Sequence, residues 1–501
     1  MRQLLRSEWT KFRTVPGWLF GMAVGGALIV GFGLLPGLQG SCGTRGPESQ
    51  CEIAVGPEGQ EVTDSFMFVH QPLTGDGSLT VRVASMNGVL PPQGPGEDGM
   101  RQGVAPWAKA GLMIKDGVDE GSAYGAVMLT GEHGVRMQHN FVHDTAGKPA
   151  TKDSPRWLRL TRTHQKITGE ESADGITWST VGTVTLAGLP STVQAGLFVT
   201  SPPYVEAVDE SFGSMASFGG LTRSTAAFDQ LSLTGQQAGP WTGTRIGGPS
   251  NMSDDELGSF EQTGEGAFTV TGMGDIAPSV GGPAGIGASI TETLIGTFAG
   301  LIVVVVIAAM FVTAEYRRGM MRTTLAASPR RGRVIAAKAT VIGIVSFVVG
   351  VIAAAIVVTF GQEVLRDNGV YMHPASTATE LRVIAGTGAL LAVAAALSVG
   401  LGALLRRGTT AVTAAIVTIV LPYLLAMSVL PPAAGDWLLR VAPAAAFAVQ
   451  QSLVEYPQVA NLYIPAAGYF PLPPWAGFAV LAGWATLALA LATYLFRRRD
   501  V

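Results

Sequence analysis

Six apolar runs divide the chain: Trp18–Leu35, Leu294–Val312, Ala339–Phe360, Val383–Leu405, Ala411–Leu430 and Trp475–Phe496. Each is near the ~20 residues that a helix needs to cross a bilayer. Lys338 and Arg382 stand beside run ends, where long side chains can snorkel to the interface. Ahead of the first run, Leu4, Leu5, Trp9 and Phe12 recur at helical spacing, with Arg2, Arg6, Lys11 and Arg13 mostly on the other side. That pattern predicts an amphipathic helix lying on a membrane surface. The boundaries that follow are an amphipathic helix over 1–16 and spans over 17–36, 291–313, 339–360, 383–405, 411–430 and 475–496. A loop over 314–338 joins spans two and three. The loop over 431–474 carries a short helix, and 497–501 is a tail.

Between the first two spans the pattern changes to strict alternation. Leu79, Val81 and Val83 interleave with Thr80 and Arg82; Leu158 and Leu160 with Trp157, Arg159 and Thr161; Val193, Ala195, Leu197 and Val199 form a third such run. Period two marks half-buried strands. Thr74-Gly75-Asp76-Gly77, Asp116-Gly117 and Asp174-Gly175 read as turns between them. The expected fold is therefore a polytopic α-helical membrane protein whose residues 37–290 form an all-β sandwich, with its core at 60–235. The late stretch FTVTGMGDI (Phe268–Ile276, within a closing strand at about 266–277) is expected to fold back beside Phe66–Val69 and close the sandwich.

Charge sets the orientation. The formal net charge is −3, yet Gly40–Gly285 holds 27 acids against 14 bases, while basic residues gather at the start, the 314–338 loop, Arg406–Arg407 and the tail. By the positive-inside rule these basic parts face the cytoplasm and the β domain lies outside. The split is a topology signal, and nothing points to nucleic acid. Arg-rich, Ala- and Gly-rich usage suggests a GC-rich bacterial genome, and with the spans the expected location is the bacterial plasma membrane. The only cysteines, Cys42 and Cys51, fall just past the first span on the oxidising side, which predicts a local disulfide.

No G-x-x-x-x-G-K-[ST] phosphate loop, H-E-x-x-H or zinc-type cysteine pair is present, so no nucleotide, metal or catalytic site is expected in this chain. The distinctive chemistry lies in the loop AEYRRGMMRTTLAASPRRGRVIAA (Ala314–Ala337). Ser328-Pro329 should end one short helix, Glu315–Ala327, and start another. SEWTKFRT (Ser7–Thr14), TAEYRRGMMRTTLAASPRRGRVIAAK (Thr313–Lys338) and LRVAPAAAFAV (Leu439–Val449) together resemble the permease subunits of type-2 ATP-binding-cassette exporters. The resemblance implies a separate ATPase subunit that binds the ATP, a second permease copy or paralogue, and a coupling element in this loop. Glu315, Tyr316, Arg317, Arg318, Gly319, Arg322, Pro329, Arg330 and Arg331 are the expected ATPase-docking residues. Without docking, these arginines would serve topology and anionic lipid alone.

WAKAGLMIKD (Trp107–Asp116), RWLRLTRT (Arg156–Thr163), SADGITWSTVG (Ser172–Gly182) and AGLFVTS (Ala195–Ser201) resemble concanavalin-like jelly-roll modules of bacterial carbohydrate-active and surface proteins. That resemblance makes Trp107, Trp157 and Trp178 candidate stacking platforms for a cell-surface glycan, against the alternative that they pack the sandwich. His133, His139 and His143 are read as solvated side chains and not as metal ligands. The competing overall reading is a membrane-anchored carbohydrate-binding or sensing protein, with its spans serving as anchor.

Overall fold

A computed structural model describes residues 1–35, 53–92, 99–151, 154–209, 215–237, 239–248, 252–253, 257–282, 285–317, 319–320 and 331–498. Cys42 and Cys51, and so their expected disulfide, lie outside the described residues. So do Arg318, Arg322, Pro329 and Arg330.

The β domain is built around one long strand, Phe66–Leu90. Its first half pairs with Thr192–Thr200 on one side and Thr242–Ile246 on the other. Its second half pairs with Arg156–Thr163 and with Arg223–Gln237. One strand therefore belongs to both layers of the sandwich. Thr74–Gly77, expected to be a turn, is the corner at which it passes between them. Gly75 takes φ 73° there, and a Cβ on Gly77 would stand 2.5 Å from the Thr234 carbonyl. Glycine meets both demands because it lacks the Cβ that forbids them. The alternating residues behave as their period requires: Leu79, Val81, Val83, Leu158, Leu160, Val193, Leu197 and Val199 are all buried between the layers. Asp174-Gly175 does make a hairpin, with Asp174 accepting from the amides of Ile176 and Thr177.

The late strand takes a different place from the expected one. Ala267–Gly272 pairs with Ser224–Phe228 and Gly258–Gly264, not with Phe66–Val69, whose free edge is taken by Thr242–Ile246. The junction is instead closed by the next residues. Ile276–Pro278 pairs with Val62–Asp64, which brings the two ends of the domain together. Two buried ion pairs pin this closure, Lys109 to Asp275 at 2.6 Å and Lys115 to Asp64 at 2.9 Å.

Six helices are long and apolar enough to cross a membrane: Pro16–Leu34, Gly296–Arg317, Gly332–Asp367, Thr377–Leu405, Gly408–Met427 and Pro474–Arg498. They are spans one to six below. Spans three and five each contain a π-helical turn, Val357–Gly361 and Ile416–Val420. In span five Pro422 follows one residue later; its missing N–H excludes the usual bond to the carbonyl four residues back, and the widened turn absorbs the misfit. The 431–474 segment holds the helix Pro432–Val441 and a 3₁₀ stretch, Pro443–Gln450, all eight of whose residues are buried. Gln450 donates to Thr297 and Thr387, so its amide is satisfied inside the bundle. The same segment reaches the β domain: Gln458 donates to the Val142 carbonyl, and Asn461 and Tyr469 both donate to that of Gly281. The β domain is thus seated on the bundle.

Candidate functional site

While Arg366 and Arg382 lie at the end of the bundle near the β domain, several basic stretches meet at the opposite end. The helix Arg2–Thr14, the end of span two, the start of span three, the elbow between spans four and five, and the end of span six all meet there. Phe12 packs edge-on against Phe311 at 6.1 Å, and Tyr316 meets Phe496 at 6.2 Å.

At the centre is a cluster of four charges, three of them buried and the fourth, Lys11, half-buried. Lys338 Nζ donates to Glu8 Oε2 at 2.6 Å and to Glu315 Oε1 at 2.7 Å. Lys11 Nζ donates to Glu8 Oε1 at 2.8 Å and to Glu315 Oε1 at 2.9 Å. Glu8, Lys338 and Glu315 are 0%, 1% and 4% exposed. The cluster is neutral, and this is what makes its burial tolerable: each charge loses water but keeps counter-charges at hydrogen-bond distance. Burial alone would lower the Lys11 pKa, but its bonds to the two carboxylates raise it above its ordinary value. Lys338 therefore does not snorkel. It faces the amphipathic helix, lies 4.9 Å from the Phe311 ring, and ties that helix to spans two and three.

The expected docking residues separate into two groups. Glu315 and Tyr316 belong to the span-two helix, which runs on to Arg317, rather than opening a new helix. Glu315 is committed to the ion cluster, and Tyr316 lies between Phe496 and the Arg406 guanidinium, 5.5 Å from its ring. Arg317 is exposed, and Gly319 takes φ 68° just beyond it, a left-handed glycine of the kind that ends helices. Arg331 begins the next helix.

Beside this cluster, spans two and five enclose a pocket of about 780 Å³. Tyr316, Arg317, Arg406 and Arg407 stand at its charged end, with Val306, Met310 and Val412 along its walls.

The three candidate stacking tryptophans, Trp107, Trp157 and Trp178, are packed by their own chain. Trp107 is buried and stacks on His133 at 3.9 Å, with Arg136 5.5 Å from its ring. Trp157 lies under the hairpin glycine: a Cβ on Gly175 would stand 2.7 Å from the indole. Trp178 is covered by Arg159 at 4.1 Å. His139 and His143 stack on each other, and His143 bonds Glu58 at 2.8 Å. Among the described residues no group of three or more metal-type side chains gathers.

Glu8, Lys11, Lys338, Arg406 and Arg407 were not singled out by sequence reasoning as site residues. The signals were present but weak. Glu8 falls on the same face as Phe12, and Lys338 is a lone cation at the head of an apolar run. Only contact between distant segments turns them into partners.

Six apolar helices, a β domain seated on one end and charge gathered at the other define a multi-pass membrane protein. Residues 224–501 match the family described as ABC-2 family transporter protein, and the chain belongs to that family. The match begins inside the strand Arg223–Gln237, so the last part of the β domain is included. No curated protein matches the chain. Among solved structures, a functionally unknown protein from Saccharomyces cerevisiae is 15% identical over 37% of this chain and 84% of its own, with a TM-score of 0.22. The GH43 protein BlXynB from Bacillus licheniformis is 15% identical over 25% of this chain and 24% of its own, with a TM-score of 0.16. Scytalido-glutamic peptidase is 10% identical over 42% of this chain and 98% of its own, with a TM-score of 0.25. Overlaps this slight carry no mechanistic weight.

Proposed function

We propose that this chain is the non-catalytic permease subunit of an ATP-driven exporter, powered by a separate cytoplasmic ATPase that docks on the 315–333 loop. One observation carries the reading beyond family membership. The neutral Glu8–Lys11–Glu315–Lys338 cluster makes the amphipathic helix, the end of span two and the start of span three a single mechanical unit at the root of that loop. A push on the loop would then reach three membrane elements together. Glu315 and Tyr316 act in this scheme as anchors, while Arg317, Arg318, Gly319, Arg322, Pro329, Arg330 and Arg331 offer the contact surface. The basic end faces the cytoplasm by the positive-inside rule. Both termini then lie inside the bacterial plasma membrane, and the β domain, read as a jelly roll closed near a Cys42–Cys51 disulfide, lies outside. A second copy or a paralogue completes the path, and ATP is held by the partner ATPase. The β domain would serve at the cell surface, with a glycan as its candidate ligand.

The test is capture in mild detergent, with and without ATP, followed by mass spectrometry. Wild-type chain should bring down an ATP-binding-cassette ATPase, and Arg317→Glu with Arg318→Glu should lose it while still inserting normally. Undiminished capture by that variant would refute docking on the loop. Recovery of no ATPase by the wild type would refute the exporter assignment.

A further inference from the structure

The pocket between spans two and five is largely apolar along its walls, with Thr313 and Thr413 among them, and charged at one end. Val306 and Met310 of span two face Val412 of span five, and this apolar channel ends at Arg317, Arg406 and Arg407. The volume, about 780 Å³, falls in the range of small-molecule sites, roughly 300–1,000 Å³. Among the described residues no carboxylate pairs with any of the three arginines, and the nearby Glu315 is already committed to Lys11 and Lys338. The Arg406 Nε is buried without a hydrogen-bond partner. Arg406 also holds a left-handed backbone, φ 59° and ψ −8°, at the end of span four. A non-glycine residue pays for that conformation, and such strain tends to persist where a side chain must be aimed. Arg317 closes one span and Arg406–Arg407 link two others, so all three stand where a bilayer places its headgroups.

We propose that this pocket binds an anionic phospholipid, its phosphate at Arg317, Arg406 and Arg407 and an acyl chain along Val306, Met310 and Val412. Basic pockets between helices on the cytoplasmic side of a membrane are suited to acidic headgroups. A free phosphate would satisfy the arginines but leave the apolar channel unused. The site stands whether or not an ATPase docks on the neighbouring loop. Its occupancy would lock the elbow between spans four and five against the end of span two, so local lipid composition would influence the basic end directly.

The experiment is native mass spectrometry of the full-length protein in detergent, titrated with dioleoyl phosphatidylglycerol or dioleoyl phosphatidylcholine, with and without millimolar inorganic phosphate. The anionic lipid should be retained in preference to the zwitterionic one. Each arginine removed, in Arg406→Gly or Arg407→Gln, should weaken retention about fivefold. Arg406→Gly is informative because glycine accepts the left-handed backbone without strain, so lost binding with an undiminished melting temperature isolates the charge. Met310→Trp, which fills the channel, should expel the lipid with all three arginines intact. Equal retention of the two lipids, or indifference to the arginine variants, would overturn the proposal. So would displacement by inorganic phosphate, which would make the pocket a simple anion site. If Met310→Trp altered the oligomeric state and left lipid binding intact, the face would be a contact between copies, and the lipid assignment would fall.

Discussion

Lys338→Met isolates the contribution of the buried charge cluster. Methionine keeps most of the lysine stem and its packing on Phe311 but removes a buried cation bonded to both Glu8 and Glu315. Two charged hydrogen bonds, at 2.6 and 2.7 Å, disappear. At about 1.5–3 kcal/mol for each such bond, the gross loss is about 3–6 kcal/mol. The net cost should settle near about 3–5 kcal/mol, the usual range for breaking a buried ion pair. Amide exchange of residues 2–14, which pack on span three through this cluster, reads the effect locally. Protection should fall by about two to four orders of magnitude at neutral pH. Adding Glu315→Gln to Lys338→Met leaves the neutral pair Glu8–Lys11 and should recover most of the loss. Unchanged protection at neutral pH, or a defect that the second substitution deepens, would refute the claim that compensated charge holds the amphipathic helix in place.

Two further predictions concern the other end of the bundle. Burial raises the Glu61 pKa to about 7 against the opposing pull of Arg366, and His373 Nδ1 lies 3.7 Å from its carboxylate. An acid raised in the folded state holds its proton between its ordinary 4.5 and about 7, so its contribution to stability is lost as pH rises through that window. The melting temperature of wild type should therefore fall relative to Glu61→Gln between those values, and the two should converge below them; parallel pH profiles would refute this. In span six, a Cβ on Gly477 would stand 2.1 Å from the Ala445 carbonyl. Gly477→Ala should cost about 1–3 kcal/mol through forced overpacking, visible as a lower melting temperature in detergent. An unchanged value would mean that the 3₁₀ stretch does not press on span six as described.

Much of the architecture was legible without coordinates because it depends on local period. Six runs of membrane length give six candidate spans, and strict alternation at Leu79–Val83, Leu158–Leu160 and Val193–Val199 gives strands with those residues inward. The errors share one cause. Thr74–Gly77 looks like a hairpin turn because glycine and aspartate favour turns, yet the same freedom serves a corner within one continuous strand. FTVTGMGDI has the composition of a strand, but composition does not choose a neighbour. Thr242–Ile246 already holds the edge beside Phe66, so the late strand pairs with Ser224–Phe228 and leaves the closure to Ile276–Pro278.

The loop at 314–338 marks the division most sharply. Its basic character and its place between two spans depend only on neighbouring residues, and sequence by itself determined them; the helix end at Arg317, with Gly319 left-handed beyond it, was not foreseen, since a helix was expected from Glu315 to Ala327. The role of Glu315 depends on Lys338, Glu8 and Lys11, and that of Tyr316 on Arg406 and Phe496. Those partners arrive from other helices, brought within reach by apolar packing that carries no information about charge along the chain. A lone lysine at the head of an apolar run is ambiguous until a carboxylate is found beside it. Only the tertiary structure supplies that neighbour, and with it the difference between a cation reaching for water and one that holds three helices together.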